Sequence, residues 1–532
     1  MASRETPTHH SLAGVSALLA ALVALTLLPG LAYLDFHYEE ARRVIPAREM
    51  LASGNFSLPT LWGQVYLNKP PGHFWLLASS FQLFGFSEFA ARLPSVVAVL
   101  CTSLALAWVA ARHLSLRAGL FAGALFALSF ETLSKGRLAE IEAHLACLVF
   151  LSVALWWMGR AGSWLATLGS GLALAGALLL KGPVSLVFFF GPPLAIAWNS
   201  RSPRSLASAR TLVPLGLGLL LAGLWPLILF QSLNSEEVLG LWGGQLNKDE
   251  GHGLAGFAME RLEFVVGSLL AFAPASLILL PALGTPLWRR LRREPALAIA
   301  WQATLAGGIC LLLFPGTNVR YFFPGLPFIA LAAGRLLDAA LEDAGSAGFP
   351  RRLEAWAKGL AWFSLAGCLV ILVGFFTPID GVSFNLVGLA LGATLVFFAL
   401  GVLRGKDSAA RLCTAFLVLP LLIGQIVISQ SAEAAARRHN NKRPAAEIQA
   451  ALPRGESLTV GFRGAFNTFA YLRAPVHYTD DWRSLEKEAW LLLTDEQFAT
   501  IGGAEDGVAW QYEQILRVRL RRGERVLLRI WP

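Results

Sequence analysis

About thirteen apolar runs of roughly 17–24 residues punctuate this chain, and each is long enough as a helix to cross a hydrocarbon layer of about 30 Å. They fall at 12–33, 88–111, 116–134, 138–158, 163–180, 182–198, 211–232, 262–284, 297–315, 318–337, 354–376, 382–403 and 409–429. A chain that is 55% hydrophobic and only 15% charged, with mean hydropathy +0.56, has the composition of a polytopic membrane protein. The first run has full span length and a single arginine, Arg4, ahead of it, so it reads as a retained span rather than a cleavable leader.

The net charge of +9 is explained by location. With the N-terminus inside, the loops that alternation assigns to the cytoplasm are basic. Arg112 and Arg117, Arg160, Arg201 to Arg210, Arg289 to Arg293, Arg335 to Lys358, and Arg404 to Arg411 all fall there. Nucleic acid is therefore not the expected partner; the bilayer is. The same alternation puts the C-terminal segment outside. The five cysteines sit inside apolar runs without metal-ligand spacing and read as small buried hydrophobes.

Cations on the exterior face break the rule. Arg42, Arg43, Lys69, Lys135, Arg137, Lys181, Lys248, Arg261 and Arg320 stand near span ends where few basic residues are expected. Each alone is equally well read as a side chain snorkelling to lipid headgroups. Taken together with Glu39, Glu40 and Glu142, they read as an anion site.

The expected architecture is a polytopic α-helical membrane domain over residues 1–430 and a small soluble α/β domain over 431–532. An exterior excursion, 34–87, holds two helical stretches, Glu40–Leu51 and Phe74–Phe84, read as interfacial, with Trp62, Tyr66 and Trp75 as anchors. A second exterior loop, 233–261, is polar and glycine-flanked and reads as a cover over a site. In the C-terminal domain, 444–452 reads as a helix. Strands are expected at 457–461, 475–478, 490–494, 511–519 and 525–531.

Several short motifs occur in one order. Glu39-Glu40-Ala-Arg42-Arg43 is followed by Tyr66-Leu-Asn-Lys69-Pro-Pro, then Phe84-Gly-Phe-Ser-Glu88 and Arg137-Leu-Ala-Glu140-Ile-Glu142. Lys181-Gly-Pro183 and Arg320-Tyr321-Phe-Phe-Pro complete the series. The series resembles bacterial GT-C glycosyltransferases, in particular the lipid A aminoarabinose transferases, relatives of the protein O-mannosyltransferases. It departs from that family where aspartates are usual: Glu39 and Glu142 stand in their place. The extra methylene moves a carboxylate by about 1.5 Å, so the pocket is rebuilt for a longer arm, or Asp35 takes the role, or activity is altered; the first is favoured because both positions changed alike.

The resemblance implies a GT-C fold and transfer of a sugar from a polyprenyl-phosphate donor to an exterior acceptor: lipid A, another glycolipid or a protein. It also implies a bacterial inner membrane with a periplasmic site. Glu39 is the expected base, with Glu40 or Glu142 orienting the acceptor. Arg42, Lys69, Arg320 and Tyr321 are expected to hold the donor phosphate. Arg137, Lys181, Lys248 and His252, together with Lys135, are further candidates. A single displacement would invert the anomeric centre. No cofactor is expected; Mg²⁺ or Mn²⁺ beside the carboxylates is the less favoured reading. The alternative from another class is a polyprenyl-linked sugar transporter or flippase, against which stand the charges crowded at one face and the lack of repeated halves.

Overall fold

The computed structural model describes residues 9–202, 204, 206–233, 254–342, 348–376, 386–438, 440–485, 487–501, 511–521 and 523–531. The chain divides into two compact units, Met1–Leu31 with Arg92–Glu433, and Ala32–Ala91 with Ala434–Pro532. The excursion 34–87, expected to belong with the spans, thus groups with the C-terminal segment. Long-range aromatic packing is the reason: Trp62 stacks on Phe466 with centroids 4.5 Å apart, and Phe36 on Tyr471 at 5.3 Å.

The chain runs through α1 (His9–Leu27), α2 (Tyr38–Ser53), α3 (Gly72–Phe84), α4 (Glu88–His113) and α5 (Leu116–Leu128). A short α6 (Phe130–Lys135) then leads to α7 (Glu142–Arg160) and α8 (Trp164–Lys181). Among the described residues, eight helices are long and apolar enough to cross a membrane, or nine if one bent pair counts as a single span. Three shorter apolar helices, Ser11–Leu27, Leu116–Leu128 and Val184–Asn199, accompany them. The protein is a multi-pass membrane protein, and every one of the thirteen apolar runs carries helix.

One run differs from expectation. Helix begins at Leu254, inside the stretch read as an exterior loop, and the run 262–284 is broken by a 98° bend between Ala255–Ala271 and Ala275–Ala282. Arg261 therefore lies on a helix, where its Nη1 donates to the carbonyls of Leu311 (3.0 Å) and Phe314 (2.6 Å) at the end of helix Pro295–Leu313. It caps orphan carbonyls of that helix.

Small residues let the helices of this unit approach closely. A Cβ built on Gly334 would stand 2.6 Å from the backbone nitrogen of Ala122 and 2.7 Å from the Ala118 carbonyl oxygen, both on α5. Such small-residue contacts matter in lipid, where dispersion and close packing supply the association free energy. The five cysteines form no disulfide; Cys147 and Cys368 are buried, whereas Cys101 is exposed rather than buried as expected.

In the other unit, α2 starts with a reciprocal cap. The backbone N–H of His37 donates to Glu40 Oε2 at 2.8 Å, and the His37 ring accepts from the Glu39 N–H. Gly54, at φ 71°, ends the helix. Strands β1 (Thr60–Leu61) and β2 (Gln64–Val65) pair through the two-residue turn Trp62-Gly63, with φ of 59° and 73°. Positive φ at both positions is the turn whose twist suits a hairpin, but it is an unusual conformation for tryptophan. Trp62 and Tyr66, expected as interfacial anchors, are buried inside this unit.

The C-terminal strands are β3 (Leu458–Val460), β4 (Val476–Tyr478), β5 (Ala489–Thr494), β6 (Gln511–Leu520) and β7 (Gly523–Trp531), each at an expected position. They form one mixed sheet, ordered β4-β3-β5-β7-β6, in which β3 runs parallel to β4 and β5 while β7 runs antiparallel to β5 and β6. Central β5, parallel to β3 and antiparallel to β7, is buried at four successive positions and so on both faces. Helix Lys442–Ala451 occupies the stretch expected to be helical.

The helix crossing yields a test. Gly334→Ala should destabilise the protein by about 1–3 kcal/mol, because backbone rather than a mobile side chain must give way. Gly367→Ala, with nothing within 4 Å of its added methyl, should leave stability unchanged. Thermal unfolding in detergent, followed by size-exclusion fluorescence, reads both.

Candidate functional site

Four segments of the helical unit deliver charge to one end of it. Lys135 closes α6, Glu142 opens α7, Lys181 closes α8, and Arg320 and Tyr321 lie on the 3₁₀ turn Val319–Gly325, which Asn318 caps from its side chain. Because α7 and α8 are joined by a short turn at their other ends, the start of one and the finish of the other meet. Lys181 Nζ lies 3.1 Å from Glu142 Oε1, and both side chains are largely buried. The same ammonium stands 4.5 Å from the ring centre of Tyr321, and the Arg320 guanidinium 5.6 Å from it.

Two further acids belong to this cluster. Glu140 pairs with Lys135 at 3.0 Å, and Glu131 feels the charges of Lys135, Glu142, Glu140 and Arg320. Neither was singled out from the sequence; the available signal was an acid beside or within an apolar run, where an idle carboxylate is costly. Three cations thus face three carboxylates, so this end of the unit is balanced rather than a bare cationic pocket. An incoming phosphate would exchange with a carboxylate for a lysine. Arg137 turns away from the group and donates through Nη2 to the Pro29 carbonyl. Burial and the nearby Arg92 charge push its guanidinium down to about 10.

The remaining candidates belong to the other unit. Glu39 lies 3.7 Å from Arg42 and 3.4 Å from Arg43, at spacings of three and four on α2. The plain intrahelical ion pair is therefore present and is worth about 0.2–0.5 kcal/mol. Arg43 is held more firmly than its neighbour, since its Nη1 also donates to the buried Tyr66 hydroxyl at 3.0 Å. Arg42 lies over the rings of Tyr38 (5.7 Å), Tyr66 (5.8 Å) and Phe466 (5.9 Å). Glu40 is fully buried, and its carboxylate completes the helix cap.

Asp35 is likewise engaged, accepting from the Asn441 N–H at 2.6 Å with Lys442 3.9 Å away. Lys442 also meets Glu88 at 2.5 Å, and Glu88 accepts from the Tyr471 hydroxyl, which in turn accepts from the Phe36 N–H. Lys69 is half-buried in the turn that leads into α3. Lys248 and His252 lie outside the described residues. Among the described residues, no group of three or more His, Cys, Asp or Glu could hold a metal ion.

Residues 68–229 match the family model of dolichyl-phosphate-mannose-protein mannosyltransferases. An uncharacterised protein of Aquifex aeolicus is 27% identical over 310 residues, 55% of this chain and 58% of that relative. The match therefore spans less than two thirds of that relative's length. An undecaprenyl phosphate-alpha-4-amino-4-deoxy-L-arabinose arabinosyl transferase of Aeromonas hydrophila is 26% identical over 70% of this chain and 69% of its own. The crystal structure of ArnT from Cupriavidus metallidurans bound to undecaprenyl phosphate superposes with a TM-score of 0.72 over 98% of both chains. Identity there is 18%, so what is shared is the fold.

The buried pair makes a prediction. Lys181→Ala leaves Glu142 buried without its ammonium and should cost about 3–5 kcal/mol. Adding Glu142→Gln should recover a large part of that loss. Thermal unfolding of the single and double variants in detergent measures both, and an additive double variant would deny the pairing.

Proposed function

We propose that this chain, which has the GT-C fold and resembles the aminoarabinose transferases, is an integral membrane glycosyltransferase with a polyprenyl-phosphate-linked donor. The acceptor is a glycolipid such as lipid A, or a protein. Thirteen spans, an inner-membrane location and a periplasmic placement of the site and the C-terminal domain belong to the same reading. The observation that supports it best is the convergence of Lys135, Glu142, Lys181, Arg320 and Tyr321 from four segments onto one end of the helical unit. Charged groups gathered beside apolar helices are costly unless they serve one another or a charged ligand.

In this reading the leaving phosphate is stabilised by Arg320, the Tyr321 hydroxyl and Lys181, the last exchanging Glu142 for a phosphate oxygen. A phosphate monoester held by cations departs without a general acid. Glu39 takes the acceptor's proton as its oxygen attacks the anomeric carbon. Glu142 orients the acceptor in preference to Glu40, which already serves the cap. One displacement inverts the configuration. The cations do the work that a divalent metal would otherwise do. Nothing in the geometry favours the flippase over the transferase.

Transfer from a radiolabelled polyprenyl-phosphate sugar to a membrane lipid extract, by purified protein in nanodiscs, tests the proposal. Glu39→Gln should lower the rate by about 10²–10⁴-fold. Arg320→Ala should lower it by about 10²–10³-fold. Donor binding without transfer, equal in wild type and variants, would favour the transporter.

A further inference from the structure

A recess lies within the unit that carries the C-terminal sheet, here the mixed unit, between the C-terminal half of α2, the β1–β2 turn and residues 469–477, with a volume of about 370 Å³. Its walls are largely apolar, but Arg48, Arg473 and His477 reach it. Arg48 is fixed: its Nη1 donates to the Ala470 carbonyl at 2.5 Å and its guanidinium lies 4.5 Å over Phe86. Arg473 is exposed at the rim, and its backbone is pinned because the N–H groups of residues 473 and 474 both donate to the Gln449 side-chain oxygen, at 2.7 and 3.0 Å.

The one acid lining the recess is a poor counter-ion. Glu49 Oε2 accepts from the Thr60 hydroxyl at 2.5 Å and Oε1 from the Trp62 N–H at 2.8 Å. Burial pushes its carboxyl above the usual range against those bonds. Burial also holds Arg48 below the ordinary guanidinium value, Glu49 opposing and Arg473 reinforcing the effect. Trp62, which lines the same space, is 3% exposed, and its indole N–H is buried with no hydrogen-bond partner. Its backbone sits at φ 59°, a conformation that the surrounding structure must impose. One face of its ring is already covered by Phe466, so the free feature is the donor rather than a stacking platform.

We propose that this recess binds an oxyanion, a phosphate monoester or a carboxylate, carried on an apolar body. Arg48 and Arg473 take the oxygens as charge-assisted donors. The Trp62 indole gains the acceptor it lacks, and the apolar walls cover the remainder of the ligand. Binding here does not depend on the sugar-transfer reading.

Phenyl phosphate titrated into full-length protein in detergent, followed by ³¹P line broadening, tests the site. Saturable binding is expected, weaker by about tenfold in Arg473→Ala and lost in Arg473→Glu, where a charge-assisted donor is removed or reversed. Trp62→Phe, which deletes the donor and keeps a ring, should weaken binding several-fold, and Arg521→Ala should change nothing. Inorganic phosphate should bind at least about tenfold more weakly, since it has nothing for the apolar walls. Tighter binding of dihexanoyl phosphatidic acid than of phenyl phosphate would identify a lipid headgroup, and the reverse a soluble ester; both support the site. Absence of broadening, its survival in Arg473→Glu, or equal affinity for inorganic phosphate would overturn the proposal.

Discussion

The ion pair between Glu142 and Lys181 is the constraint on which the helical unit's charged end depends. A carboxylate on the first turn of an apolar helix has no water to solvate it, and an ammonium on the last turn of the next helix has the same difficulty. Antiparallel packing of α7 and α8 answers both at once, with Nζ 3.1 Å from Oε1. The helix ends favour the arrangement too, since an acid suits an N-terminus and a cation a C-terminus. Tyr321 then lies under the ammonium, which places the Arg320 turn beside the pair. Such a pair contributes little net stability against an apolar substitute, so its presence invites a functional explanation.

The mixed unit solves a different problem. Its first segment is separated by hundreds of residues from its second, and polar and aromatic contacts between them carry the association. Tyr471 accepts from Phe36 and donates to Glu88, Lys442 bridges Glu88 and Asp35, and Trp62 stacks on Phe466. These contacts fix the start of α2, and with it the backbone that bears Glu39. They also explain why Asp35, considered as a substitute base, is engaged in holding the fold.

Much of this was legible in the sequence because apolar length and strand alternation are local properties. The helix at 442–451 and all five C-terminal strands stand within a few residues of the short apolar stretches that turn residues bound. The bend of 98° after residue 271 had one local signal, Pro274, which cannot continue the helical hydrogen bonding, but hydropathy alone reads the run as continuous. The grouping of 34–87 with the C-terminal segment depends on pairs such as Trp62–Phe466 that no window spans. For the candidate site, Lys181 and Glu142 were visible as charges out of place, but their mutual pairing was not. The capping bond of Glu40, paired with a histidine rather than the usual serine or threonine, was not legible either.

The Arg320–Tyr321 turn and Lys181 together are the proposed clamp for a lipid-borne phosphate. Thermal unfolding of the full-length protein in detergent, with and without undecaprenyl phosphate, tests it directly. Wild type should be stabilised in proportion to the logarithm of ligand concentration, by about 2.7 kcal/mol at a hundredfold excess over Kd. An Arg320→Ala, Tyr321→Phe double variant that folds should show almost none of that shift. An equal shift in both proteins would contradict the clamp and place the phosphate elsewhere.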